Sequence, residues 1–185
     1  MSSIVVFPLG NVDPGVVQEL SSALSETFHA EVDVRSEPVD LQQFYDHLRV
    51  QYNSTEIIRF LTGRFPVSPP VPRRQSADPK VLAVLPHDLF VPILTYVFGE
   101  AQLGGRIAVL SYHRLTNERY GLPSNPKLFR TRLRKEALHE LGHAYGLIHC
   151  PDQGCVMHAS TDVDAIDIKG ESFCASCSEF LRTAR

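Results

Sequence analysis

The chain has 185 residues, 43% of them hydrophobic and 21% charged, with a formal net charge of −3 at pH 7. This length suits one well-buried core and is short for two, so a single domain over residues 1–185 is expected. The near-neutral charge balance gives no overall pull towards nucleic acid or an anionic membrane surface, and neither is expected as a partner.

Residues 3–10, SIVVFPLG, form a brief apolar run that reads as a first strand. A signal peptide needs a basic lead-in and a longer apolar stretch, and no segment reaches the length of a membrane span, so a cytoplasmic protein is expected. Asp13-Pro14 is a helix cap followed by a first-turn proline, and Val17, Leu20, Leu24 and Phe28 repeat at helical spacing. Together they predict a helix over residues 14–28. Residues 30–35 alternate apolar and charged, as a half-buried strand does, and strand, helix, strand suggests a parallel unit. Asn53-Ser54-Thr55 matches a glycosylation sequon, but its better use in a cytoplasmic chain is to cap a helix carrying Ile57, Ile58 and Leu61 on one side.

Residues 65–79 hold five prolines and two arginines, which reads as a surface loop in preference to a proline-motif ligand. Residues 81–86 read as a buried strand. Residues 93–98 are rich in β-branched and aromatic side chains, and the Gly104-Gly105 turn leads into another such run at 106–111. These two runs are expected to be antiparallel neighbours.

Asn125-Pro126 opens a long helix. Its apolar residues Phe129, Leu133, Ala137, Leu141, Ala144 and Ile148 follow a three-to-four spacing on the side away from His139 and His143. Lys127, Arg130, Arg132, Arg134 and Lys135 read as a solvated face, because no aromatic residues interleave to make a site for RNA. The run HELGHAYGLIHC at 139–150 carries the chemistry. If the helix continues to about residue 145, His139 and His143 lie one turn apart and can share a metal ion. Glu140, beside the first of them, can act on a water molecule as general base without being a ligand itself. Gly146 permits a sharp turn that returns His149 as a third ligand, which leaves the fourth position of a catalytic zinc open. A lone helical histidine is usually a packing or surface residue, but here five positions agree on one site.

Cys150, Cys155, Cys174 and Cys177 all fall in the last fifth of the chain. Two disulfides are one reading. A cytosolic chain disfavours them, and two close pairs suit a structural zinc held by four thiolates. Cys150 directly follows His149, so a metal held there would also pin the backbone that presents the histidine. Met157 can form an apolar floor under the catalytic zinc.

The run HELGHAYGLIH followed by Met157 resembles the metzincin metallopeptidases, and the four cysteines resemble those of the archaemetzincins within that clan. The resemblance implies an α/β (α+β) fold with a twisted mixed sheet and packed helices in an upper lobe, about 1–146. An active-site helix and a small zinc-stapled lower lobe, about 147–185, complete it. By position it makes His139, His143 and His149 the catalytic zinc ligands, Glu140 the base, Met157 the Met-turn, and Cys150, Cys155, Cys174 and Cys177 the structural zinc site. It also implies two zinc ions per chain and an edge strand near 93–98 along which an extended peptide could add. The implied function is a zinc metallopeptidase that hydrolyses peptide bonds through a zinc-bound water activated by Glu140, acting on short peptides or extended segments. A peptide or protein substrate is expected, and a monomer is favoured. Some metzincins carry a tyrosine two residues beyond the methionine, where this chain has Ala159. That departure keeps open a zinc-stabilised peptide-binding protein with little or no turnover.

Overall fold

The computed structural model describes residues 3–66 and 78–183. In chain order these form β1 (Ser3–Pro8), α1 (Pro14–Phe28), β2 (Glu31–Val34), β3 (Tyr45–Asp46), β4 (Gln51–Asn53), α2 (Ser54–Arg64), β5 (Lys80–Leu85), β6 (Leu89–Phe90), β7 (Gly99–Ala101) and β8 (Ile107–Ser111). The helices α3 (Pro126–Ala144), α4 (Val163–Ile168) and α5 (Ala175–Thr183) follow. The main sheet has the order β2-β1-β5-β8-β7, in which the first four strands are parallel and β7 runs antiparallel to β8 at one edge. A small sheet, β3-β4-β6, stands beside it.

The three central strands are near-continuous apolar runs because both faces of the sheet are covered. Successive side chains point to opposite faces. Ile4, Val6, Leu82, Val84, Ala108 and Leu110 accordingly join Leu20 and Leu24 of α1 and Leu133, Ala137 and Leu141 of α3 in one core. Val5, Phe7, Val81, Ala83, Ile107 and Val109 join Ile57, Ile58 and Leu61 of α2 in the other. The first core runs on through Val156, Met157, Ile166 and Leu181, so the segment after α3 packs into the same apolar interior.

Local signals placed most elements. Asp13 caps α1 by accepting from the amide of Gly15 at 2.7 Å, Asn53 caps α2, and Asn125 caps α3 by accepting from the amide of Leu128 at 3.0 Å. β1 and β2 are the expected parallel pair. β2 is more exposed than half-buried, with Val34 46% exposed, because it is the outer strand and only Val32 packs against the core. Of the proline-rich stretch, residues 67–77 lie outside the described residues.

Three expectations need correction. The run 93–98 is not a strand; the edge strand is β7, immediately after it. Val97 donates its amide to the carbonyl of Leu89 at 2.9 Å, so this stretch follows the small sheet; the chain meets β8 first through the carbonyl of Phe98, which accepts from Ser111 at 2.8 Å, and pairs with it from Gly99. Ile148 does not extend the buried stripe of α3: the helix stops at Ala144, and Ile148 is 69% exposed. The basic residues of α3 are not all solvated, since Arg132 and Lys135 are only 4% and 3% exposed.

The reason is that α4 covers the side of α3 that sequence alone would leave to water. Lys135 Nζ donates to the carbonyls of Ile166, Asp167 and Lys169 at 2.9, 3.0 and 2.7 Å, filling the C-terminal end of α4 with a positive charge where orphan carbonyls accumulate. Arg132 holds Asp167 through two bonds of 2.7 Å and also reaches the carbonyl of Leu115 and the side chain of Asn117. Among the described residues no helix is long and apolar enough to cross a membrane. Replacing Lys135 with alanine orphans three carbonyls, so Lys135→Ala is expected to lower unfolding free energy by about 2–4 kcal/mol. Lys127→Ala, on the exposed start of the same helix, should change it by less than about 0.5 kcal/mol in the same denaturant titration.

Candidate metal centre

The last two turns of α3 present His139 and His143 from one face. Tyr145 closes the helix, and Gly146 at φ 105° takes a conformation that L side chains rarely adopt, turning the chain so that Leu147 bonds back to the carbonyl of Gly142 at 2.9 Å. His149 then returns beside the other two, and one ring nitrogen from each of the three lies within 4.8 Å of the others. His139 Nδ1 lies 2.9 Å from the carbonyl of Val156, and His143 Nδ1 lies 2.7 Å from that of Leu147. A carbonyl only accepts, so each Nδ1 carries its hydrogen and each Nε2 is a bare lone pair. Those two Nε2 atoms face each other at 3.1 Å.

Two lone pairs at that distance repel unless a cation lies between them. Nitrogens bound at 2.0–2.1 Å to a tetrahedral zinc would be about 3.3 Å apart, so the pair fits that ion. Burial lowers the pKa of all three imidazoles, most for the 5% exposed His139, and the nearby Lys169 ammonium pushes in the same direction. Each is thereby kept in the neutral form that a metal requires.

Glu140 is 5% exposed, and burial together with the neighbouring Glu136 raises its pKa well above the ordinary value. Its side chain lies against Gly99 in β7, where an added Cβ would sit 2.6 Å from both Cγ and Oε1 of Glu140. Gly99 thus makes room for the carboxylate. No signal in the sequence marked it, since it lies in an extended edge strand, away from any turn.

A cleft of about 500 Å³ opens over these groups. Residues 94–101 form one wall, Glu136, His139, Glu140, His143 and His149 the floor, and residues 159–161 the opposite wall. Ala159 offers no side-chain donor there, and the adjacent Ser160 Oγ is buried without a hydrogen-bond partner among the described residues. Tyr145 and His158 do not line this cleft. Tyr145 stacks on Phe28 with centroids 5.1 Å apart, and His158 Nδ1 contacts the carbonyl of Cys150 at 3.0 Å.

Met157 is fully buried beneath the site, with its Sδ packed on the backbone of Gly142 where a Cβ would collide with it. Its carbonyl accepts from the amide of Cys150 at 2.9 Å, which ties the methionine turn to the residue after His149. Cys150, Cys155, Cys174 and Cys177 form a second cluster, their four sulfurs within 4.8 Å of one another and all unbridged. Cys150 and Cys174 Sγ are 3.8 Å apart, far beyond a disulfide bond and close to the separation of about 3.8 Å expected for thiolates at 2.3 Å from a tetrahedral zinc. The amide of Cys177 lowers the pKa of Cys174, whereas burial raises those of Cys155 and Cys177. The structure therefore brings together every site residue that the sequence singled out, and it adds Gly99, Glu136 and Lys169.

The chain matches peptidase family M54 over residues 78–183. It is 38% identical to the archaemetzincin of Halobacterium salinarum over 175 residues, 93% of this chain and 95% of that protein. The crystal structure of the Archaeoglobus fulgidus archaemetzincin complexed with malonate superposes with a TM-score of 0.77 at 37% identity, covering 96% of this chain and 99% of the other. The Methanopyrus kandleri archaemetzincin gives a TM-score of 0.80 at 32% identity, with 99% and 94% covered. With this agreement in sequence, fold and donor sets, the chain belongs to peptidase family M54, the family of the archaemetzincins, and is a zinc metallopeptidase of metzincin-like fold.

Proposed function

We propose that the chain hydrolyses peptide bonds in short peptides or extended segments, with His139, His143 and His149 as catalytic zinc ligands and Glu140 as general base. The observation that carries this reading is the pair of bare Nε2 atoms at 3.1 Å, with a third histidine and a buried carboxylate beside them on the floor of a cleft. Zinc, when bound there, supplies a Lewis acid that polarises a carbonyl and acidifies water. Glu140 takes the proton from the attacking water and delivers it to the leaving amine, so no covalent intermediate with the protein is needed. A carboxylate with a raised pKa is the stronger base towards water, and its acid form is still a stronger acid than the ammonium of the leaving amine, so it suits both halves of that task. The open edge of β7 faces the cleft, and an extended substrate can add to it as a further strand.

The four cysteines hold a second, structural zinc, and Met157 forms the floor between the two sites. Free thiols gathered in this way suit a reducing, cytoplasmic setting. Residues 1–146 and 147–185 act as two lobes of one catalytic domain, a reading supported by the core they share. A second reading, a peptide-binding protein with little turnover, is favoured by Ala159, which leaves that position of the cleft wall without the tyrosine hydroxyl that some metzincins carry.

Three outcomes are expected. In a peptide-library digestion read by mass spectrometry, the wild-type protein should give products that Glu140→Ala loses by at least about a hundredfold, with both metals retained; identical products from the two would leave the binding reading standing. Elemental analysis should find two zinc ions per chain, and Cys174→Ser should weaken the structural one without removing the three histidines' metal; one zinc with unreactive cysteines would contradict this assignment. Gly99→Ala drives a methyl group into Glu140 and should lower kcat by about tenfold or more at unchanged zinc content, as steady-state kinetics beside metal analysis would show.

A further inference from the structure

α3 brings one more acidic residue to the cleft. Glu136, one turn before Glu140 and three residues before His139, lines the floor and is 3% exposed. Its Oε1 meets Lys169 Nζ at 2.7 Å as an ion pair, without a hydrogen bond of ordinary geometry. The Lys169 side chain is wholly buried, and its Nζ also lies 3.4 Å from His139 Nδ1 and 3.5 Å from the carbonyl of His158. The backbone at this position is fixed as well, since the carbonyl of Lys169 accepts from Lys135. A buried ammonium and a buried carboxylate are thus packed against the back of a ring that ligates the catalytic metal.

Such a pair is a weak source of stability, because desolvating both charges offsets most of their attraction and apolar residues of the same size often do as well. Its position gives it a different use. His139 Nδ1 has two polar neighbours of opposite kind: the carbonyl of Val156 at 2.9 Å, which only accepts, and Lys169 Nζ at 3.4 Å, which only donates. Bonding to the carbonyl keeps the hydrogen on Nδ1 and leaves Nε2 bare. Accepting from the ammonium would place the hydrogen on Nε2, where it blocks ligation.

We propose that Glu136 is a positioning residue that holds the Lys169 ammonium off His139 Nδ1, so that the ring keeps the tautomer able to bind metal. Lys169, held in this way, anchors the carbonyl of His158 and with it the start of the far cleft wall. The proposal rests on the three-histidine zinc reading, and its test separates the two.

Cobalt titrated into metal-free protein reports each site on its own: the four thiolates give strong charge-transfer bands, which also serve as a check on folding, and the three histidines give weaker visible bands. Glu136→Gln is expected to weaken cobalt and zinc binding at the three histidines by about 10–100-fold in chelator competition, with the thiolate bands unchanged. Glu136→Gln combined with Lys169→Met, which removes the competing donor, should recover most of that loss. Long-range proton–nitrogen spectra of the metal-free wild-type protein should show His139 protonated on Nδ1, a readout that needs no variant. Wild-type affinity in Glu136→Gln, no recovery in the double variant, or a wild-type His139 protonated on Nε2 would each overturn the proposal. If the wild-type protein shows thiolate bands alone, the three-histidine reading itself fails.

Discussion

Two imidazole nitrogens stripped of hydrogen and held 3.1 Å apart form an unfavourable arrangement that a shared cation relieves, and much of the surrounding structure serves to impose it. Each ring is turned by a backbone carbonyl on its far side, from Leu147 in one case and Val156 in the other. Neither carbonyl belongs to the helix that carries the rings. The first is placed by the turn at Gly146, and the second lies in the strip of chain that leads into Met157. That strip is fixed in turn by the bond from Cys150 to Met157 and by the packing of Met157 on Gly142. The cysteine cluster begins at the residue after His149, so a metal bound there would restrain the same backbone.

The long helix α3 can carry the site because both of its sides are occupied. One buries Leu133, Ala137, Leu141 and Ala144 against the sheet, and the other is clamped to the C-terminal segment by Arg132, Lys135 and Glu136. Charged groups buried in this way are costly unless every donor finds an acceptor. The three carbonyls around Lys135 meet that condition, and Asp167, Leu115 and Asn117 accept four hydrogen bonds from Arg132. The two glycines of the site serve a related end: Gly142 admits the methionine sulfur from below, and Gly99 admits Glu140 from above. At both positions a side chain touches backbone, so the metal platform has little room to shift between the edge strand and the methionine turn.

The elements that the sequence disclosed are those whose cause is local. Asp13, Asn53 and Asn125 cap helices because their side chains reach an amide two or three residues on, and α1 follows the expected limits for that reason. The parallel strands around the centre of the sheet were legible because burial on both faces demands unbroken apolar runs. The strand expected over 93–98 failed on a nonlocal ground. Its composition suits a strand, but Val97 found its hydrogen-bond partner in Leu89, so the strand beside β8 starts at Gly99. Arg132 and Lys135 were misread for the same kind of reason, since what covers a helix face depends on a segment some thirty residues later.

By itself the sequence marked the candidate metal donors, because three histidines, a glutamate, a glycine, a methionine and four cysteines at fixed intervals have few uses other than coordination and hydrolysis. It also determined the helix that presents them, through a cap at one end and a glycine turn at the other. Only the tertiary structure decided what orients those donors: which carbonyl faces each ring, which edge strand walls the cleft, and that a lysine at 169 reaches the back of His139. Ligand spacing follows from the pitch of one helix and one turn. Orientation depends on groups from separate parts of the chain meeting in a shared core, and no local period records that meeting.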